Sequence, residues 1–164
     1  MQPTEFSSVA DLERSRGARV GASAWSRVTQ AMVDAFAEVT GDRQWIHVDP
    51  ERARRESPMG GPVAHGFLTV SLLPSLIAQC VRFPNARLSL NYGFDRLRFV
   101  SPVPVGAEIR ATFVLDDVRA VDGGAQLTWR VEVEVRGAER PALAALWLTR
   151  VLFAETDAAA LFRS

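Results

Sequence analysis

The sequence contains no lysine: all 19 of its basic residues are arginine, and 19 acidic residues balance them. A formally neutral chain lacks the broad positive field that nucleic acid or an anionic membrane surface selects for. The exclusive use of arginine reads as a coding bias, not as a functional signal. There is one cysteine, Cys80, which excludes an internal disulfide framework and a cysteine-based zinc knuckle. It ends an apolar run, so it reads as a buried, inert thiol. No basic segment followed by an apolar core opens the chain, so no signal peptide is visible. No apolar run approaches the roughly 20 residues that span a bilayer. These absences point to a soluble, cytoplasmic chain with no membrane and no nucleic-acid partner. Its 164 residues, 48% of them hydrophobic, suit one domain over 1–164.

Only two histidines are present, and one stretch, Thr40–Thr69, holds both His47 and His65. It also contains the Gly41-Asp42 turn and a Gly-Gly-Pro bend at Gly60–Pro62, and it ends where a long apolar run begins. A carboxylate and an imidazole five residues apart, beside a helix start, could hold a water and polarise a carbonyl. The spacing by itself is weak, because an Asp after a helix-ending glycine is common in loops.

The surrounding pattern supplies a scaffold. Ser7 or Ser8 can cap a short helix running to Arg16. Arg19–Ala22 and Trp25–Val28 read as weak extended segments. Thr29 caps a helix with Met32, Val33, Phe36, Ala37 and Val39 at helical spacing, and Gly41 ends it. Asp42 and His47 then fall in the connection. Asp49-Pro50 opens a short polar helix to Glu56. From Gly66 to Val81 the apolar residues leave no wide polar stripe, which predicts one long buried helix bent at Pro74. Alternating strands follow, with a phase shift near Gly93 and Asp95 that predicts a bulge. Leu127–Val135 alternates most cleanly, and Ala142–Phe153 is almost continuously apolar, as a strand buried on both faces or in an interface would be. Trp25, Trp129 and Trp147 read as core or interface. Thr156–Ser164 reads as a tail or short helix. The order predicts an α+β fold, an antiparallel sheet curled around a long central helix. Such a sheet keeps an open edge, which favours a homodimer.

Gly41-Asp42, His47 and Ala64-His65-Gly66-Phe67 together resemble the hot-dog-fold MaoC-like dehydratases, which include the (R)-specific enoyl-CoA hydratases. TGDRQWIHVDPERA and GGPVAHGFLTVSLLP are closest to the nodulation-protein-N-like branch. The similarity runs from about Thr29 to Pro104. It implies Asp42 and His47 as the catalytic pair and the Gly66 N–H as donor to the thioester oxygen. Gln44 stands where asparagine is common, can still donate and accept hydrogen bonds, and is taken with Gly66 as a substrate-binding residue that either orients His47 or fills the turn. Trp45 stands where proline is common, and its bulk is expected to reshape the acyl pocket. The implied reaction adds water to a trans-2-enoyl thioester of coenzyme A or acyl carrier protein, with no metal and no redox cofactor.

His65 reads as structural or capping. Arg52, Arg54 and Arg55, and separately Arg96 and Arg98, form basic patches, read as solvated surface sooner than as contacts to coenzyme A phosphates. Two other functions fit the fold. One is acyl-CoA thioester hydrolysis, which needs no Asp-x4-His pairing. The other is a non-catalytic acyl-binding module, against which the intact Asp42 and His47 stand.

Overall fold

Alternating side chains build the sheet of this chain, and the computed structural model describes it over residues 2–154. The elements in order are β1 (Thr4–Glu5), α1 (Val9–Arg14), β2 (Arg19–Ala22), β3 (Ser26–Arg27), α2 (Gln30–Thr40), α3 (Trp45–Val48) and α4 (Pro50–Glu56). They continue with α5 (Gly66–Ser71), α6 (Leu73–Ile77), β4 (Val81–Arg82), β5 (Leu88–Phe99), β6 (Glu108–Val121), β7 (Gly124–Val135) and β8 (Leu143–Leu152). The main sheet has the order β2-β6-β7-β8-β5, with β3 also on β6, and every pairing in it is antiparallel. β1 and β4 form a separate parallel pair.

Ile109, Ala111, Phe113 and Leu115 of β6 and Leu127, Trp129, Val131 and Val133 of β7 are fully buried, and they share one core with Leu68, Leu73 and Leu76 of α5 and α6. This is the α+β hot-dog arrangement, a sheet curved around a helix. β8 lies between β7 and β5, which explains its nearly unbroken apolar sequence. The bulge expected in β5 is present as register shifts between Asn91 and Gly93 and between Phe94 and Arg96. A further shift between Leu115 and Asp117 hides the second half of β6 from any simple alternation.

Caps appear where their residue types predict. Ser8, Thr29 and Asp49 each accept a hydrogen bond from a first-turn N–H of α1, α2 and α4. Gly41 ends α2 in the left-handed region at φ 76°.

The central helix differs from the single Gly66–Val81 element that the apolar run predicts. It is two short segments meeting at Leu72, whose dihedrals remain helical, and Cys80 and Val81 lie beyond it. Pro74 has no N–H to give, which weakens the ladder at the junction. Nor is the helix buried all round: Phe67 is 63% exposed, and Ser71, Pro74 and Ser75 also face outward. Trp25 also departs from the core role. It is half-buried, with the guanidinium groups of Arg110 and Arg136 at 4.6 and 4.7 Å from its ring, whereas Trp129 and Trp147 are in the core. Cys80 is buried and free, and burial raises its pKa. The Thr156–Ser164 segment lies outside the described residues.

Candidate active site

Asp42 follows directly on the left-handed Gly41, so its backbone is free of the helix and its side chain is exposed. His47 is not in an open connection, as the sequence suggests. It sits in α3, a four-residue turn too short to show periodicity. The backbone oxygen of Gln44 starts that turn by accepting from the His47 N–H at 2.9 Å. The Gln44 side chain makes no capping bond. Gln30, the first residue of α2, holds α3 instead. Its Nε2 donates to the His47 carbonyl and to the Asp34 carboxylate, both at 2.8 Å.

The His47 ring is 8% exposed. Its Nδ1–H donates to the Val63 carbonyl at 2.6 Å, because a carbonyl can only accept. That leaves Nε2 free. Val63 is itself fixed, donating its N–H to the Ile46 carbonyl at 3.0 Å and bridging to Pro104. Burial lowers the His47 pKa and the nearby His65 lowers it further. The Val63 bond and the Asp42 carboxylate work in the opposite direction.

His65 occupies the position before α5, yet its side chain caps nothing. It is 3% exposed and stacks on His47, with ring centroids 3.8 Å apart and planes at 29°. Phe36 tilts against it at 5.0 Å. Its Nε2–H donates to the backbone carbonyl of Asp42 at 2.9 Å. One ring nitrogen of each histidine and one carboxylate oxygen of Asp42 lie within 4.8 Å of one another. Such a trio has the donor types of a metal site, but near-parallel stacked rings do not converge their in-plane lone pairs on one ion.

Gly66 opens α5 immediately beyond this cluster. A first-turn N–H has no partner inside its own helix, and the helix end favours negative charge. A Cβ at Gly66 would lie 2.9 Å from the Phe99 ring, so the ring as placed packs directly over the glycine. A cavity of about 280 Å³ opens at this point, lined among others by Ala64, Gly66, Thr69 and Phe99. It reaches Gly66 but stops short of Asp42 and His47. A second cavity of about 260 Å³ lies between α6 and the sheet, beside Ile77, Trp129 and Trp147. Trp45 lines neither; the Arg52 guanidinium covers its ring at 4.5 Å. Arg52 also bonds Glu56 at 2.8 Å, which accounts for one member of its basic patch. Arg96 and Arg98 line a surface depression together with Arg130 and Glu132.

The fold and a family match define a class before any single relative does. Residues 11–136 match the family described as MaoC like domain. The chain belongs to that family and is a hydro-lyase, a dehydratase or hydratase of the hot-dog fold. The particular proteins it is similar to narrow this. It is 47% identical over 146 residues to the 3-hydroxyacyl-thioester dehydratase Z of Mycobacterium tuberculosis, covering 88% of this chain and 96% of that one. It is 44% identical over 153 residues to Nodulation protein N of Rhizobium leguminosarum bv. viciae, covering 92% and 94%. Among solved structures, the (R)-hydratase from A. caviae superposes with a TM-score of 0.63 at 27% identity, over 80% of this chain and 94% of that one. Among the described residues, no helix is long and apolar enough to cross a membrane.

Proposed function

We propose that this chain is an (R)-specific hydratase that adds water to trans-2-enoyl thioesters, and in reverse dehydrates 3-hydroxyacyl thioesters, at the Asp42/His47 pair. One observation carries the reading: an exposed carboxylate and a ring nitrogen of a buried imidazole lie within 4.8 Å of each other, close in sequence and space to a glycine-initiated helix start. The name of the Mycobacterium tuberculosis relative supports a thioester substrate; the proposed carrier is coenzyme A or acyl carrier protein.

Asp42, exposed and unconstrained by a helix, takes a proton from water as its oxygen attacks the β-carbon. The pair returns a proton to the α-carbon, so the site ends as it began. The Gly66 N–H stabilises the enolate-like oxygen between these events. A lowered pKa makes a protonated His47 a stronger acid, suited to giving a proton to carbon. These steps use the chain's own acid and base groups, with coenzyme A as part of the substrate.

The reading includes a homodimer and a cytoplasmic location. β5 is a 12-residue edge strand, and Phe67 and Phe99 are exposed in an edge-to-face contact at the mouth of the Gly66 cavity. A second copy there would cover an apolar rim and deepen a cavity that one chain leaves shallow.

Purified protein should consume the absorbance of a conjugated enoyl-CoA. Asp42→Asn should lower kcat about 10³-fold while leaving the thermal midpoint unchanged. Normal turnover by that variant removes Asp42 from the chemistry, and release of free thiol without hydration would instead mark a thioesterase.

A further inference from the structure

We infer that a cavity beside Arg54 takes the phosphate at the end of the substrate's phosphopantetheine arm, with the arm running there from the Gly66 cavity. The inference deepens the proposed hydration and rests on it.

The segment after Asp49 holds three arginines, and the structure sets one of them apart. Arg52 and Arg55 both lie against Glu56, at 2.8 and 3.8 Å, and Arg52 also covers Trp45. Arg54 is exposed and pairs with no carboxylate among the described residues. It lines a cavity of about 520 Å³ together with Gln30, Met59 and Gly61, and among the described residues it is the one charged side chain on that lining. A Cβ at Gly60 or Gly61 would meet nothing within 4 Å, so the glycine loop leaves the cavity unobstructed. A guanidinium with no acidic neighbour on the same wall suits an anion, and a phosphate above all, whose oxygens it can meet in pairs.

A second observation joins this cavity to the proposed site. Residues 62–64 and 103–105 form a short antiparallel ladder through the bridge of Val63 to Pro104. The Ala64 N–H donates to the Val103 carbonyl at 2.8 Å, and the Val105 N–H donates to the Pro62 carbonyl at 2.9 Å. Ala64 and Val103 line the Gly66 cavity, whereas Pro62 and Val105, two residues further along each strand, line the Arg54 cavity. Residues two apart in extended chain share a face, so one face of this ladder leads from one cavity to the other.

The lengths agree. Gly66 and Pro62 are four residues apart, which is about 13 Å of extended chain. The arm has about thirteen bonds from thioester sulfur to phosphorus, the length of roughly four extended residues. A thioester oxygen on the Gly66 N–H therefore puts the phosphate within reach of Arg54. Arg96 and Arg98 are placed otherwise. They alternate with Leu97 and Phe99, so they lie on the opposite face of β5 from the residue that lines the Gly66 cavity. The Arg54 contact is far from the reacting carbons and is alike in substrate and transition state, so it contributes binding and not rate.

Arg54→Gln is compared with Arg55→Gln, which removes the other last-turn charge of α4 without touching the cavity. Each is assayed with a trans-2-enoyl thioester of coenzyme A, of acyl carrier protein, and of pantetheine, the same arm ending in a hydroxyl. Arg54→Gln should raise KM about 5- to 10-fold on a phosphate-bearing substrate, keep kcat within about twofold, and change neither on enoyl-pantetheine. A rise with one carrier assigns the site to that carrier, and a rise with both assigns it to the phosphate they share. An equal rise on enoyl-pantetheine, an unchanged KM on both phosphate-bearing substrates, or the same rise in Arg55→Gln overturns the inference. A parent protein that hydrates none of the three defeats the proposed function itself. Calorimetry then decides the site without turnover: coenzyme A binding weakened by Arg54→Gln, with pantetheine binding unchanged, supports it, and coenzyme A binding equal to the parent's overturns it.

Discussion

One side-chain hydrogen bond, Nδ1–H to the Val63 carbonyl, orients the His47 ring, and burial is the largest influence on its titration. Its folded-state pKa lies below the ordinary value of 6.5. Between those two values the unfolded chain binds more protons than the folded one, so stability rises with pH there. The contribution is intact above 6.5 and is lost as the pH falls below it. Urea unfolding at pH 7.5 and at 5.5 should therefore show a lower midpoint at the acid pH. Replacing His47 with Gln should shrink that difference; an unchanged pH dependence would mean that His47 titrates alike in both states. The same residue scale explains Trp45 and Arg52. The tryptophan is bulky, but its face is taken up by a guanidinium and not by a cavity wall. Among the residues the sequence passes over, Gln30 carries most weight, since it alone ties α2 to the carbonyl of His47.

Among elements, β7 and β8 depend on a glycine that no turn requires. Gly124 starts β7 opposite Leu152, and a Cβ there would lie 1.9 Å from the Val151 carbonyl oxygen. Two paired backbones cannot move apart without breaking the ladder between them. Gly124→Ala should destabilise the chain by about 3 kcal/mol, read as a shift in denaturant midpoint with little change in slope. A variant as stable as the parent would show that this strand end frays at no cost. The broken central helix follows a different logic. Pro74 and the exposed outer residues keep α5 and α6 short, and burial of Leu68, Leu73 and Leu76 against the sheet holds them in line.

For the whole molecule, the unequal edges of the sheet matter most. β2 has 4 residues at one edge, while β5 has 12 at the other, with Leu88 and Phe99 exposed. A long edge carrying apolar side chains invites pairing with another copy. Sedimentation equilibrium should give twice the chain mass at micromolar concentration. A single chain mass throughout that range would leave β5 uncovered and defeat the proposed dimer. The dimer also bears on the site, because the Gly66 cavity opens between Phe67 and Phe99.

Much of this was legible in the residues alone. Thr29 and Gly41 bracket α2, Asp49-Pro50 opens α4, and period-two alternation marks β5, β6 and β7, because caps and pleats act through near neighbours. Asp42, His47 and Gly66 could be named from one motif, and so could the family. What the chain order could not contain was contact between distant segments. The carbonyl that orients His47 belongs to Val63, 16 residues away, and the carbonyl that orients His65 belongs to Asp42, 23 away. Nothing in a linear reading says that the second histidine stacks on the first. Hydrogen bonds and ring stacking act over a few ångströms of space. Only the folding of the 60s segment back against the turn after α2 brings a carboxylate and two imidazoles within 4.8 Å of one another.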